Sequence, residues 1–319
     1  MRLRALADAF LEASVVGSFS RLGYDARRRL YNWTPLESLR LDGKTAVVTG
    51  ATSGLGRETA LLLTRQGADV TIVGRAAERT NRALSETGAA GSELADLSLL
   101  RETRSLAQRI ASTHETLDVL VLNAGAMTHA FTLTDEGNEV TLATHVLSQF
   151  LLVDALRPLL ESSATRVIVV SSGGMYLERL DVDALQPTAA TYDGVKAYAR
   201  AKRAQVTLVE EWTRQLLGTG ITINAMHPGW SDTPGLRDAL PGFSRALSPV
   251  LRTPEQGADT IAWLAADPGL DGVSGEFFLD RRARPTHRKR STRRLDEAQE
   301  RAKLWQLCVS RTRTRSADA

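Results

Sequence analysis

The chain has 319 residues, 43% of them apolar, and a formal net charge of +3. That suffices to bury a sizeable core in one large domain or two modest ones, and the charge is too small to imply a nucleic-acid partner. A single cysteine, Cys308, excludes an internal disulfide and any cysteine-rich metal site and favours a reducing, cytoplasmic setting, while five histidines without metal-ligand spacing give no reason to expect a metal.

In chain order, Met1-Arg2-Leu3-Arg4 has the look of a secretory leader. Asp8 and Glu12 interrupt what would be its apolar core, so no cleaved signal is expected. No apolar run reaches the roughly 18 residues of a spanning helix. Leu6, Phe10, Val15 and Phe19 recur at roughly helical spacing, and Arg21, Arg27, Arg28 and Arg29 follow. Residues 1–40 therefore read as a helical extension, either packed on the domain or lying on a membrane surface.

From residue 44 strands and helices alternate. Strands are expected at 45–48, 70–73, 93–95, 117–122, 166–170, 221–225 and 277–279, several of them rich in β-branched residues and 117–122 almost continuously apolar. Helices are expected at 57–63, 79–87, 99–113, 139–160, 198–217 and 256–265. The alternation argues a doubly wound parallel α/β sheet of the Rossmann type with right-handed crossovers, as a single domain over residues 41–280. Residues 281–319 read as a basic tail: 281–294 as a solvated loop or an anion-facing surface, 296–307 as a short terminal helix.

The first chemical signal is Thr49-Gly50-Ala51-Thr52-Ser53-Gly54-Leu55-Gly56, set between the first strand and the first helix of the alternation. Gly50 and Gly54 allow a tight turn, and Gly56 removes a side chain where a pyrophosphate comes close. The helix that follows aims its free N–H groups and its positive end at the phosphates, with Thr52, Ser53 and Leu55 completing the loop. Arg75 ends the second strand, and residues 70–77 hold no acid. An arginine there accommodates a 2′-phosphate, so NADP(H) is preferred, with NAD(H) the alternative. Asp96, followed by Leu97, ends the third strand, placed either for the adenine edge or to cap the next helix. Asn123-Ala124-Gly125 closes the fourth strand with small residues and an amide able to bridge neighbouring strands.

Two Y-x-x-x-K pairs lie side by side, Tyr192/Lys196 and Tyr198/Lys202. Spacing of four on a helix brings both side chains to one face. Gly194 disfavours a helix through the first pair, so the second is taken as the acid/base pair: an ammonium beside a phenol lowers its pKa from near 10. Ser172 ends the fifth strand, where a hydroxyl points into the ligand crevice and can hydrogen-bond a substrate oxygen; Ser171 supports the loop. Residues 230–251 are expected to form an apolar lid, with Trp230, Leu236, Leu240, Phe243, Leu247 and Val250 to line it.

Over residues 44–280 the chain resembles the short-chain dehydrogenase/reductases. The resemblance rests on T-G-A-T-S-G-L-G at 49–56, D-L at 96–97, N-A-G at 123–125, V-S-S ending at Ser172, Y-A-R-A-K at 198–202 and H-P-G at 227–229, in family order. The 26 residues from Ser172 to Tyr198 are similar to the spacing of the retinol-dehydrogenase-like branch. The resemblance implies a Ser172–Tyr198–Lys202 catalytic core, Lys202 on the nicotinamide ribose, and cofactor contacts from Pro228, Gly229 and Thr233. It also implies an Asn in the fourth helix, whose backbone carbonyl holds a water that relays protons to the lysine. His145 stands in that place, either as hydrogen-bond partner or relay, or as a helix residue without a chemical role. The function implied is an oxidoreductase passing hydride between nicotinamide and a carbonyl or alcohol. An apolar lid suggests a lipophilic small molecule of the steroid, retinoid or fatty-aldehyde kind. The alternative is a nucleotide-binding regulator without turnover. A homo-oligomer and peripheral membrane contact are both compatible with the sequence.

Overall fold

Runs of β-branched and apolar residues, covered on both faces, build the sheet expected from the alternation. The computed structural model describes residues 2–288, 292 and 298–313. The strands are β1 (Thr45–Thr49), β2 (Asp69–Gly74), β3 (Gly91–Leu94), β4 (Val119–Leu122), β5 (Arg166–Val170), β6 (Thr222–Met226), β7 (Phe277–Leu279) and β8 (Arg282–Ala283). Their order across the sheet is β3-β2-β1-β4-β5-β6-β7-β8. All pairs are parallel except the last, in which β8 runs back along β7. Chain direction across the sheet reverses between β1 and β4, and the crevice outside that reversal is where such sheets hold ligands.

Helices cover both faces. In chain order after an N-terminal trio they are α4 (Gly54–Arg65), α5 (Ala77–Thr87), α6 (Leu100–Thr113), α7 (Val140–Leu142), α8 (Ser148–Ala155), α9 (Arg157–Ser163), α10 (Gly194–Gln215), α11 (Pro234–Ala239), α12 (Pro241–Leu247), α13 (Pro254–Ala266) and α14 (Ala298–Thr312). Successive strand residues face opposite sides. Val47 and Leu120 accordingly join Leu106, Phe150 and Trp212 in one core, while Val48 and Val121 join Leu63, Ile261 and Phe278 in the other.

Three expectations change. The single helix expected over 139–160 is broken: α7 runs into a π-helical turn, Ala143–Leu147, then α8, and Pro158 sits in the first turn of α9 rather than near a helix end. Proline lacks the N–H that a helix interior uses but loses nothing there. The third strand begins two residues earlier than expected, at Gly91. The basic tail is not a solvated loop where it is described. Residues 282–283 pair as β8, and Arg284 and Arg288 form ion pairs with Asp8 and Glu12. The terminal helix, α14, packs on α8 and α10, burying Leu304 and Cys308 completely. Residues 289–291 and 293–297 of the tail lie outside the described residues.

The N-terminal extension forms three helices, α1 (Arg2–Ala13), α2 (Val15–Phe19) and α3 (Arg21–Tyr31). It is held to the sheet domain by charge rather than by its apolar stripe. Arg27, with no exposed surface, donates to Asp8 and to Asp280 at 2.7 Å each and to Glu12 at 2.8 Å. Arg252 reaches the same Asp280 at 2.6 and 3.0 Å and the carbonyls of Ser18, Phe19 and Ser20. Buried charges survive in a low-dielectric interior only when paired and fully hydrogen-bonded, and this cluster meets that condition. Of the apolar spacing, only Phe19 turns inward; Leu6, Phe10 and Val15 are exposed.

Candidate active site

The glycine stretch forms the turn between β1 and α4. Gly50 and Gly54 adopt φ of 64° and 53°, a region that side chains other than glycine rarely occupy. Ser53 is the N-cap of α4 but makes no side-chain cap, so the first N–H groups of a 12-residue helix remain available to an anion. Asn123 ties the floor of the crevice: its Nδ2 donates to the carbonyls of Thr49 at 2.9 Å and Gly50 at 3.2 Å, and its N–H donates to Thr49 Oγ1. The amide thus joins the ends of β1 and β4. Leu55 packs toward α13 beside Gly257, and Leu97 is buried. Thr233 caps α11, and its methyl lies over Gly54.

Arg75 follows the last residue of β2, with its side chain 67% exposed and the carboxylate of Asp96 3.7 Å away. Asp96 directs its other oxygen to the N–H and hydroxyl of Ser98, so it shapes the turn into α6 while facing Arg75. A loosely paired arginine beside an uncapped helix N-terminus is suited to a phosphate.

On the reacting side, Asp193 caps α10 by accepting from the Lys196 N–H at 3.0 Å, so the helix starts at Gly194, four residues earlier than expected. Tyr198 and Lys202 then lie one turn apart, facing Ser172 at the end of β5. Lys202 is buried, its Nζ 5.3 Å from the centre of the Tyr198 ring and donating to the Val170 carbonyl at 2.8 Å. Burial pushes Lys202 down to about 7. Tyr198 is partly buried. Burial raises its phenol, and the neighbouring Ser172 hydroxyl pulls it partly back. Ser171 Oγ donates to the Lys202 carbonyl, fixing the loop to the helix. Tyr192 is elsewhere engaged: it lies outside α10, its hydroxyl 2.6 Å from Thr128 Oγ1 and 3.1 Å from the Thr128 carbonyl. Lys196 is exposed.

His145 lies inside the π-helical turn, fully buried, its ring edge-on to Tyr198 at 5.4 Å. Nε2 lies 2.8 Å from the Ala126 carbonyl and accepts from the Ala126 N–H at 3.2 Å, while Nδ1 is buried without a partner. Burial, then the Lys202 ammonium, lowers its pKa to about 3. The imidazole is therefore neutral through the physiological range. Gly125 is required beside it, because a Cβ there would stand 2.2 Å from His145 Cε1. The backbone carbonyl of residue 145 is not left to water alone. Gln205, one turn beyond Lys202, donates to it at 2.9 Å and to Gln149 Oε1 at 2.9 Å, and keeps its own Oε1 unpartnered. Gln205 was missed from the sequence, although a polar residue on the alanine-lined face of α10, three after Lys202, is the signal that marks it.

This geometry yields a test. His145→Asn should retain most activity. His145→Leu removes the tie to Ala126 and should slow turnover several-fold with little change in KM. Since the ring titrates near 3, native protein should show no inflection in kcat from this residue between about pH 5 and 8. Identical kcat in all three forms would leave the side chain without a role.

A residue from the extension reaches the loop after β6. Phe19 packs edge-on against His227 at 4.5 Å and Trp230 at 5.9 Å, and its ring fills the space that a Cβ on Gly173 would need. Trp230 in turn meets Phe243 of α12 at 5.1 Å. Gly229 donates to His227 Nδ1, and the Pro228 carbonyl accepts from Arg252, so the loop after β6 is braced by the same arginine that grips the extension. His227 is held well below its ordinary pKa by burial and by Arg252.

The model of the short chain dehydrogenase family matches residues 44–241. The chain belongs to the short-chain dehydrogenase/reductase family. It is 38% identical over 277 residues to dehydrogenase/reductase SDR family member 12 of Bos taurus, covering 84% of this chain and 86% of that protein. To retinol dehydrogenase 14 of Mus musculus it is 35% identical over 263 residues, 75% of this chain and 78% of the relative. Among solved structures it is similar to the 3-oxoacyl (acyl-carrier-protein) reductase of Agrobacterium tumefaciens C58 with NADP bound. That likeness has a TM-score of 0.61 at 26% identity, over 77% of this chain and 96% of that one. Short-chain dehydrogenase/reductases are oxidoreductases that bind a nicotinamide cofactor, and the doubly wound parallel sheet expected from the alternation is the fold found. The uncapped α4 terminus, the glycine turn and the loosely paired Arg75 fit such a cofactor.

Proposed function

We propose that this short-chain dehydrogenase/reductase is an NADP(H)-preferring oxidoreductase acting on a lipophilic carbonyl or alcohol. The convergence of Ser172, Tyr198 and Lys202 beside the glycine turn is the observation that carries the reading. When bound, the nicotinamide supplies or accepts the hydride. Lys202 holds the nicotinamide ribose. Ser172 donates to the substrate oxygen and keeps it against the Tyr198 hydroxyl. The phenol, raised above its ordinary value by burial, is protonated at neutral pH and gives its proton to a carbonyl oxygen as charge develops there. His145 and Gln205 are positioning residues that hold the floor behind Lys202. Gly50, Thr52, Gly54 and Gly56 carry the pyrophosphate, and Asn123, Ala124, Gly125, Pro228, Gly229 and Thr233 line the cofactor crevice. Phe19, Trp230 and Phe243, all aromatic and partly or fully buried, support a lipophilic substrate.

A series of aldehydes and ketones of rising chain length with NADPH tests the substrate class. kcat/KM should climb with apolar length; a flat or falling series would contradict it. Arg75 tests the cofactor. A charge-assisted contact contributes about 1.5–3 kcal/mol, so Arg75→Asp should weaken NADPH binding roughly 10- to 100-fold and leave NADH little changed. Nicotinamide fluorescence titration measures both constants. Native protein that binds NADH as tightly as NADPH would overturn the preference.

A further inference from the structure

Helix α1 is amphipathic in the reverse sense to a helix packed on a soluble core. Its carboxylates face inward: Asp8 pairs with Arg27 and Arg284, and Glu12 pairs with Arg27 and Arg288. Its apolar side chains face out. Leu3, Leu6 and Phe10, at i, i+3 and i+7, fall on one stripe and are 82%, 67% and 80% exposed. Val15, Val16 and Leu22 extend the exposed apolar surface onto α2 and α3, which pack against α1. Isolated exposed leucines are ordinary, but a contiguous stripe on a helix whose carboxylates are turned inward marks a contact surface.

The exposed charges of the same three helices point to its occupant. Arg4, Arg21, Arg28 and Arg29 are exposed and make no ion pair among the described residues. A second copy of the chain meeting this face across a two-fold axis would bring these arginines against their own counterparts. An anionic lipid surface supplies the complement to both features, with phosphates for the arginines and the acyl boundary for the apolar stripe. Among the described residues no helix is long and apolar enough to cross a membrane. We propose that α1–α3 form a docking face that lies on an anionic bilayer, with Leu6 and Phe10 inserted at the headgroup–acyl boundary and the four arginines against lipid phosphates. The proposal goes beyond the oxidoreductase reading and does not depend on it, since binding is read without turnover.

The test is sedimentation of the full chain with vesicles of phosphatidylcholine, with and without phosphatidylglycerol. Native protein should pellet with the anionic vesicles and be released at about 1 M salt, where screening is near complete. Leu6→Ser/Phe10→Ser alters only exposed side chains. Its partitioning should fall at least about tenfold, while its unfolding midpoint and NADPH affinity match native. Arg21→Glu/Arg28→Glu should abolish the preference for phosphatidylglycerol. The proposal is overturned if native protein stays in the supernatant with anionic vesicles, or if the Leu6/Phe10 variant pellets as native does. It is equally overturned if the native chain is a dimer without lipid and Phe10→Ser makes it a monomer.

Discussion

Tyr198→Phe should lower kcat by about 10²- to 10⁴-fold, the range that a positioned general acid or base contributes. The phenol ring stays, so its edge contact with His145 and its place beside Lys202 stay, and NADPH affinity should hold within about twofold. Only the hydroxyl is removed, and with it the proton that it would give. Tyr192→Phe is the matched control, because the two tyrosines share the Y-x-x-x-K spacing and lie six residues apart. The Tyr192 hydroxyl is committed to Thr128, outside α10, so its loss should cost a surface hydrogen bond and little activity. Steady-state kinetics of both variants with one accepted substrate decide the matter. Activity that survived Tyr198→Phe but not Tyr192→Phe would assign the chemistry to the other pair.

Asp280→Asn should destabilise the protein by about 3–5 kcal/mol, the cost of leaving a buried charge uncompensated. Asp280 has no exposed surface and sits between two fully or almost fully buried guanidiniums, those of Arg27 and Arg252. Its φ of 54° is left-handed, a conformation that asparagine accepts readily, so the substitution removes charge without straining the backbone. Arg27 keeps Asp8 and Glu12, whereas Arg252 keeps carbonyls and the face of Tyr24 but no carboxylate. Urea unfolding at neutral pH measures the loss, and a change below about 1 kcal/mol would contradict this account of how the extension is anchored. Acid acts on the same cluster. Burial raises the Asp8 pKa, but hydrogen bonds from Arg284 and Arg27 outweigh it and hold the carboxyl at about 2. Its folded value lies below the unfolded value of about 3.9. The stability it contributes is therefore complete above about pH 4 and lost as pH falls toward about 2.

Local signals in the sequence located most of the sheet and the candidate residues that meet at its crevice. Val47, Val48, Leu120 and Val121 read as strands because both faces are buried, and the glycine turn declares itself between a strand and a helix. Tyr198 was preferred to Tyr192 because a glycine at 194 weakens a helix there; the helix starts at that glycine, which leaves Tyr192 outside it and Tyr198 and Lys202 one turn apart within it. Features built by distant residues were not legible. The ion pair of Arg27 with Asp280 spans 253 positions, and that of Arg284 with Asp8 spans 276. No periodicity reports such a contact, and the tail therefore read as solvated. Phe19 was grouped with Leu6, Phe10 and Val15, and spacing alone cannot tell which of the four meets the protein. The π-helical turn at His145 left no composition signature, and the carbonyl expected to hold water there is shared with Gln205.

The central claim is hydride transfer at the Ser172–Tyr198–Lys202 site, and isotope transfer in a single turnover tests it most directly. Excess protein is mixed with NADPH carrying deuterium at the reactive carbon and with a lipophilic aldehyde or ketone, and the alcohol is weighed by mass spectrometry. The account predicts one deuterium on the carbinol carbon of the product, formed together with one equivalent of NADP⁺. Cofactor that binds tightly while no label moves to any carbonyl of the series would contradict it, and would make the protein a nucleotide-binding regulator instead.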